Sequence, residues 1–249
     1  MTRPLLQLQA VHTHIGAYHI LHGVDFDVPA GNVTVLLGRN GAGKTTTLRT
    51  IMGLWRASSG SIVFGEHVLA SARGALSTPE IAQLGIAYVP ESMGIFTDLT
   101  VRENLLLAAR KARSIEQVDT QRLDWLFRLF PALKKFWLYP AGKLSGGQKQ
   151  MLAIARAMVE EQRLLLIDEP SKGLAPVIVG NLIEALQALK ATQTTVLLVE
   201  QNFAVARALG DSVAVMDDGR VVHRGTMKDL LHDEARLQRL LGLSLEAGR

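Results

Sequence analysis

Apolar and polar residues alternate through Val24-Asp25-Phe26-Asp27-Val28, and Leu5 to Ile15 carries a looser version of the same period. Both segments read as strands with one face buried. Val33-Thr34-Val35-Leu36-Leu37 and Leu164-Leu165-Leu166-Ile167 are continuous apolar runs, the mark of strands covered on both faces, and Thr195 to Val199 repeats it. A glycine-rich turn after Leu37 leads into a helix expected from about Lys44 to Leu54, and Ser61 to Val68 suggests a strand pair about Gly65-Glu66. From about Glu91 to Val159 the period becomes helical. Leu123, Leu126, Phe127 and Phe130 form one stripe, and Pro131 is expected to close that helix. Asp218-Gly219 between Val213–Met216 and Arg220–Val222 predicts a hairpin, because both turn positions accept positive φ. Thr226 and Asp229 can cap a last helix running to about Leu243. The expected class is α/β: a mixed-sheet core with an antiparallel β part, formed by residues 1–90 and 160–249, interrupted by a helical insert over 91–159.

Composition narrows this only slightly. The chain has 249 residues, 48% hydrophobic and 20% charged, which suits one large domain and excludes general disorder. No apolar run reaches the roughly 18–20 residues of a membrane-spanning helix, and Met1 to Leu6 reads as no secretory signal. Cysteine is absent, which removes disulfides and thiolate metal sites and fits a reducing compartment. A net charge of +4 suits a membrane surface as well as nucleic acid, and nothing else in the sequence calls for nucleic acid.

Candidate chemistry changes the picture. Gly38-Arg39-Asn40-Gly41-Ala42-Gly43-Lys44-Thr45, followed by Thr46, fits the phosphate-loop pattern GxxxxGK[ST] between an apolar strand and a helix. Its glycines let backbone N–H groups face phosphate oxygens, and the helix N-terminus adds partial positive charge. Lys44 is placed to reach the β- and γ-phosphates of ATP and Thr45 to offer its hydroxyl to Mg²⁺. The Leu164–Ile167 strand delivers Asp168-Glu169-Pro170 to the carboxyl edge of the sheet, where α/β folds place ligands. Asp168 is the candidate metal carboxylate and Glu169 the residue that polarises the attacking water. Leu144-Ser145-Gly146-Gly147-Gln148 opens a helix, with Ser145 and Gln148 at capping-box spacing. The bland reading is a capped helix. Two glycines in its first turn cost helix stability, and close approach of a phosphate would explain them.

LSGGQ between a phosphate loop and LLLIDEP resembles the ATP-binding cassette (ABC) ATPase family over essentially the whole chain. The resemblance implies a P-loop core with a helical subdomain. It also implies that Leu144, Ser145, Gly146, Gly147 and Gln148 contact ATP held by a second ATPase subunit. Several positions depart from the family. Glu91 stands where a metal-contacting Gln is usual, Gln201 where a catalytic His is usual, and Ala175 where an Asp is common. The usual adenine-stacking aromatic is replaced by Ile15, leaving Tyr18, His14 or Ile15 itself to meet the ring. VPE, DEPSxGLAP and LLVEQN together look like the ATPase subunits of branched-chain amino acid importers and their amino-acid, amide or urea relatives. That branch implies a heterodimer with a His-bearing ATPase, two integral-membrane permease subunits and, indirectly, an external solute-binding protein. The chain would lie peripherally on the cytoplasmic face of a bacterial or archaeal cell membrane. A soluble ABC ATPase, or a nucleotide-dependent module with little turnover, is the alternative.

Weaker signals remain. Trp125, Phe127, Phe130, Phe136, Trp137 and Tyr139 are read mainly as the insert's small core, with Trp125 about 150° off the apolar stripe and so a candidate contact to a membrane partner. Met93 to Leu99 falls where the family's insert receives the permease. His12, His14, His19 and His22 suggest a metal cluster at first sight, but no carboxylate motif accompanies them. Arg110, Lys111 and Arg113 read as a solvated helix face.

Overall fold

The computed structural model describes residues 4–110, 112 and 114–241. It contains strands β1 (Leu6–Ile15), β2 (Tyr18–Val28), β3 (Val33–Gly38), β4 (Ala57–Phe64), β5 (His67–Ser71), β6 (Gly74–Ala75), β7 (Ile86–Val89), β8 (Leu164–Asp168), β9 (Thr195–Glu200), β10 (Ser212–Asp217) and β11 (Arg220–Thr226). The α-helices are α1 (Lys44–Ile51), α2 (Thr78–Gln83), α3 (Val101–Ala108), α4 (Thr120–Leu129), α5 (Pro131–Lys135), α6 (Gly146–Ala157), α7 (Pro176–Lys190), α8 (Phe203–Leu209), α9 (Met227–His232) and α10 (Glu234–Leu241).

Two sheets divide the strands. One is antiparallel, in the order β2-β1-β4-β5-β6; the other runs β11-β10-β3-β9-β8-β7 and is parallel except where β10 pairs with β11. The apolar runs β3, β8 and β9 lie inside the second sheet, which is why they lack alternation. Their side chains part to opposite faces by the strand period. Val33, Val35 and Leu37 join the core shared with α6, α7 and α8, whereas Leu36 joins the core shared with α1 and the antiparallel sheet.

Helices α3 to α6 lie between β7 and β8, two strands that pair directly in parallel. Phe130 is fully buried there, Phe127 meets Trp137 edge-on, and Trp125 is half-buried under the Arg122 guanidinium, 4.1 Å from its ring centre. Trp125 thus packs one side on the insert's core and leaves the other lining an open cavity. Tyr139 and Leu138 are the exposed large hydrophobic residues of that stretch.

Some boundaries moved. The helix after the phosphate loop stops at Ile51, because Gly53 takes a left-handed conformation, φ 69°. Pro131 starts α5 at its first position while α4 ends at Leu129. The expected last helix is two, broken at Asp233, and its end at Leu243 lies outside the described residues. Lys111 and Arg113 lie outside them too; Arg110 pairs with Glu160. The Asp218-Gly219 turn has both φ values positive, 42° and 71°, as expected.

Candidate nucleotide site

Three neighbouring strands end at one edge. β9 lies between β3 and β8, so Gln201 emerges between the phosphate loop and Asp168-Glu169. No sequence spacing could show this, because it depends on strand order.

Gly43 caps α1 without a side-chain hydrogen bond, and the helix has no acidic residue in its first turn. Its first N–H groups are therefore left for an anion. Gly41 has φ 82°, and an added Cβ would meet no protein atom within 4 Å. The backbone conformation, not packing, asks for glycine there, and the open side is the one a phosphate would approach. Lys44 is almost fully buried; its ammonium donates to the carbonyls of Gly38 (2.9 Å) and Arg39 (3.0 Å) and pairs with Glu169 Oε1 at 3.2 Å.

Asp168 is fully buried at the end of β8. Thr45 donates to its Oδ1 (3.0 Å) and the Tyr88 hydroxyl to its Oδ2 (3.1 Å). Burial pushes the Asp168 carboxyl above its usual range, against those two hydrogen bonds. Burial and the adjacent Asp168 charge push the Tyr88 phenol up to about 12. Glu169 is a non-glycine residue at φ 46°. Burial acts to raise its pKa, but the Gln201 hydrogen bond with Lys44 and Lys172 outweighs burial and holds it below the usual value. Gln201 Nε2 donates both to Glu169 Oε1 (2.5 Å) and to Asn40 Oδ1 (2.6 Å), tying the phosphate loop to the strand end of β8. Lys172 bridges Glu91 (2.7 Å) and Glu169 (3.4 Å) across the mouth.

A cavity of about 380 Å³ opens between these groups, lined by Asn40, Gly41, Gly43, Lys44, Thr45, Thr46, Glu91, Glu169, Lys172 and Ile20. Thr45 and Asp168 offer the hard oxygen donors Mg²⁺ prefers. Glu91 stands at the rim, engaged by Lys172. Sequence reasoning missed Lys172, Tyr88 and Ile20; the first two needed the strand order to find them, and Ile20 shows only as an apolar residue in a polar hairpin. Tyr18 is 76% exposed and Ile15 half-buried, and neither lines the cavity.

Residues 144–148 do not line this cavity. Ser145 Oγ accepts from the Gln148 amide (3.3 Å), and Gln148 Oε1 from the Ser145 amide (2.9 Å), a reciprocal cap. The two glycines have different reasons. Gly147 is buried, and an added Cβ would stand 2.2 Å from Ile178 Cγ2 of α7; internal packing requires it. Gly146 is exposed, and its nearest contact would be Leu174 Cδ2 at 3.6 Å. Ala175 caps α7 without a side-chain hydrogen bond.

The four histidines of the β1–β2 hairpin do gather. His14 stacks on His19 at 4.1 Å, His19 meets His22 at 4.0 Å, and His12 Nδ1 lies 3.0 Å from His19 Nε2. Among the described residues, no group of three or more His, Asp or Glu side chains is placed to hold a metal. No described helix is long and apolar enough to cross a membrane.

A family model described as ABC transporter matches residues 21–172. The chain is 40% identical over 229 residues to the high-affinity branched-chain amino acid transport ATP-binding protein BraG of Pseudomonas aeruginosa, covering 91% of this chain and 95% of that one. It is 37% identical to the probable branched-chain amino acid transport ATP-binding protein LivF of Archaeoglobus fulgidus, covering 87% and 89%. Among solved structures it resembles the ADP conformation of an ATP-binding cassette of an ABC transporter, with TM-score 0.79 and 26% identity over 97% of this chain and 100% of the other.

Proposed function

The chain belongs to the ABC transporter ATP-binding family, and from that membership we propose that it is the ATP-hydrolysing subunit of a membrane importer for branched-chain amino acids or related amino acids and amides. The observation that carries the chemical part is the meeting of buried Lys44, Asp168 and Glu169 beside an uncapped helix N-terminus.

Residues Gly38 to Thr46 hold the phosphates of ATP through backbone N–H groups, and Lys44 exchanges its pairing with Glu169 for the β- and γ-phosphates. Thr45 and Asp168 hold Mg²⁺, with Glu91 at the rim; when bound, the ion supplies positive charge against the phosphoryl oxygens. The exchange frees a carboxylate that Gln201 still orients, and Glu169 then polarises the attacking water. Gln201 steadies without charging, because its amide does not titrate near neutral pH. Ile15 or Tyr18 meets the adenine from the hairpin.

Ser145 to Gln148 cap their own helix and lie off this chain's cavity. They serve, with Leu144, the ATP of a second ATPase subunit. Gln201 and Ala175 make that subunit a different, His-bearing chain. ATP-driven closure of the pair reorients two permease subunits, which the insert (91–159) engages while the core (1–90 and 160–249) keeps the nucleotide. A solute-binding protein acts indirectly. The chain works at the cytoplasmic face of the cell membrane, and nucleic acid has no part.

The test is affinity purification of tagged Glu169→Gln protein from native membranes with Mg·ATP. Recovery of multi-span permeases and a second ATPase is expected. Recovery of ribosomes, nucleic acid or only the chain itself would overturn the transport reading.

A further inference from the structure

Glu200 closes β9 with 1% of its surface exposed. Among the described residues no cation forms an ion pair with it. A carboxylate so enclosed is costly unless its oxygens are satisfied, and four donors satisfy them. Oε1 accepts from the Ser171 amide (3.1 Å). Oε2 accepts from the Ser171 hydroxyl (2.9 Å), the Gln201 amide (3.1 Å) and the Asn202 amide (3.2 Å). Burial pushes the Glu200 carboxyl above its usual range, and those hydrogen bonds act against burial.

The donors come from two loops. Ser171 lies two residues past Glu169, and the Gln201 side-chain amide donates to the Glu169 carboxylate beside Lys44 and Lys172. Glu169 sits in the left-handed region, φ 46°, which a non-glycine residue keeps only when its surroundings over-determine it. One determinant is the Glu169 amide bonded to the Val199 carbonyl at 2.9 Å. The other is the anchoring of the following loop on Glu200.

We propose that Glu200 is a positioning residue for ATP hydrolysis: it locks the loop after Glu169 to the loop bearing Gln201, so that the water-polarising carboxylate and the amide that orients it move as one unit. This rests on the ATPase reading above. The chemistry demands an anion, because three backbone N–H groups converge on two oxygens. A glutamine there can still accept from Gln201 and Asn202 with its oxygen, but its NH₂ then faces the Ser171 N–H. Glu200→Gln therefore loses the Ser171 amide bond, leaves that loop held by the Ser171 hydroxyl alone, and keeps both bonds of the other loop.

The experiment compares wild type and Glu200→Gln in two assays. In the assembly recovered with the tagged chain, kcat for ATP is expected to fall roughly tenfold to a hundredfold, the cost of a slightly misplaced group, while KM changes less than about twofold. In the chain by itself, hydrogen exchange is expected to quicken about tenfold at the Ser171 amide and to stay unchanged at Gln201 and Asn202. Ser171→Ala, which removes only the hydroxyl bond, should lower kcat by a smaller factor, and it serves if Glu200→Gln does not fold. An unchanged kcat with unchanged exchange overturns the proposal. So does a parallel loss of nucleotide binding and turnover, which marks a merely structural carboxylate. Absence of hydrolysis by the wild-type assembly would instead overturn the ATPase reading, and the exchange assay would still decide whether Glu200 locks the loop.

Discussion

Gly147→Ala tests the packing of α6 against α7. The added Cβ would stand 2.2 Å from Ile178 Cγ2, more than an ångström inside ordinary contact. Ile178 cannot turn aside cheaply, because a β-branched residue in a helix has essentially one χ1 well. Overpacking of this kind costs about 1–3 kcal/mol. Replacing glycine by alanine in a helix returns at most about 1 kcal/mol. The net expectation is a loss of about 1–2 kcal/mol, or roughly 3–6 °C in a chain of this size. The clash involves Cγ2 alone, since Ile178 Cβ and Cδ1 would lie at 3.6 and 3.8 Å. Ile178→Leu removes that methyl and keeps the volume. Thermal unfolding of the two single variants and the double variant forms a cycle in which about 1–2 kcal/mol of the Gly147→Ala loss should return. Additivity, or a Gly147→Ala protein as stable as wild type, would refute the reasoning. Gly146→Ala is the contrast: its Cβ has room, so stability should hold while turnover in the assembled transporter falls, if that glycine meets a phosphate.

Glu169→Gln should lower ATP turnover by about 10²–10⁴ while sparing nucleotide binding, read by single-turnover hydrolysis and equilibrium binding. Ala175→Asp places a side-chain acceptor at the uncapped start of α7 and should raise stability by about 0.5–2 kcal/mol in urea unfolding. The His12 imidazole is held below its usual pKa by burial and then by His19, His22, Arg220 and His14. The folded chain therefore binds fewer protons than the unfolded chain once pH falls below about 6.5, and stability falls with acidification through that window. Melting temperature measured from about pH 7.5 to about 5.5 should drop less in His19→Gln than in wild type; identical slopes would remove the cluster as the cause.

The central strands, the phosphate loop and the Asp168-Glu169 pair were legible because each is a local pattern: an apolar run, a glycine spacing, a strand end. What stayed hidden depended on neighbours. Four-residue β7 and two-residue β6 are too short to carry a period. Lys172 reads as one surface cation until the fold sets it between Glu91 and Glu169. The glycine pair read as one functional sign, yet Gly147 answers to a methyl group on α7. Glu200 looked like the end of an apolar strand, and only the return of the Ser171 loop shows why an acid stands there.

The pairing of β7 with β8 has a consequence for how such a chain can vary. Everything from Pro90 to Arg163 leaves one strand and returns on its immediate neighbour. The register of the two strands is set by their own hydrogen bonds, and lengthening a connection costs only a slowly growing closure entropy. The stretch from α3 to α5 can therefore be lengthened, shortened or exchanged while α6 stays packed on the sheet and β7 and β8 keep their register. One engine of fixed bore can be fitted to different gearboxes, and grafting α3 to α5 of a relative ahead of α6 is the natural way to re-address it.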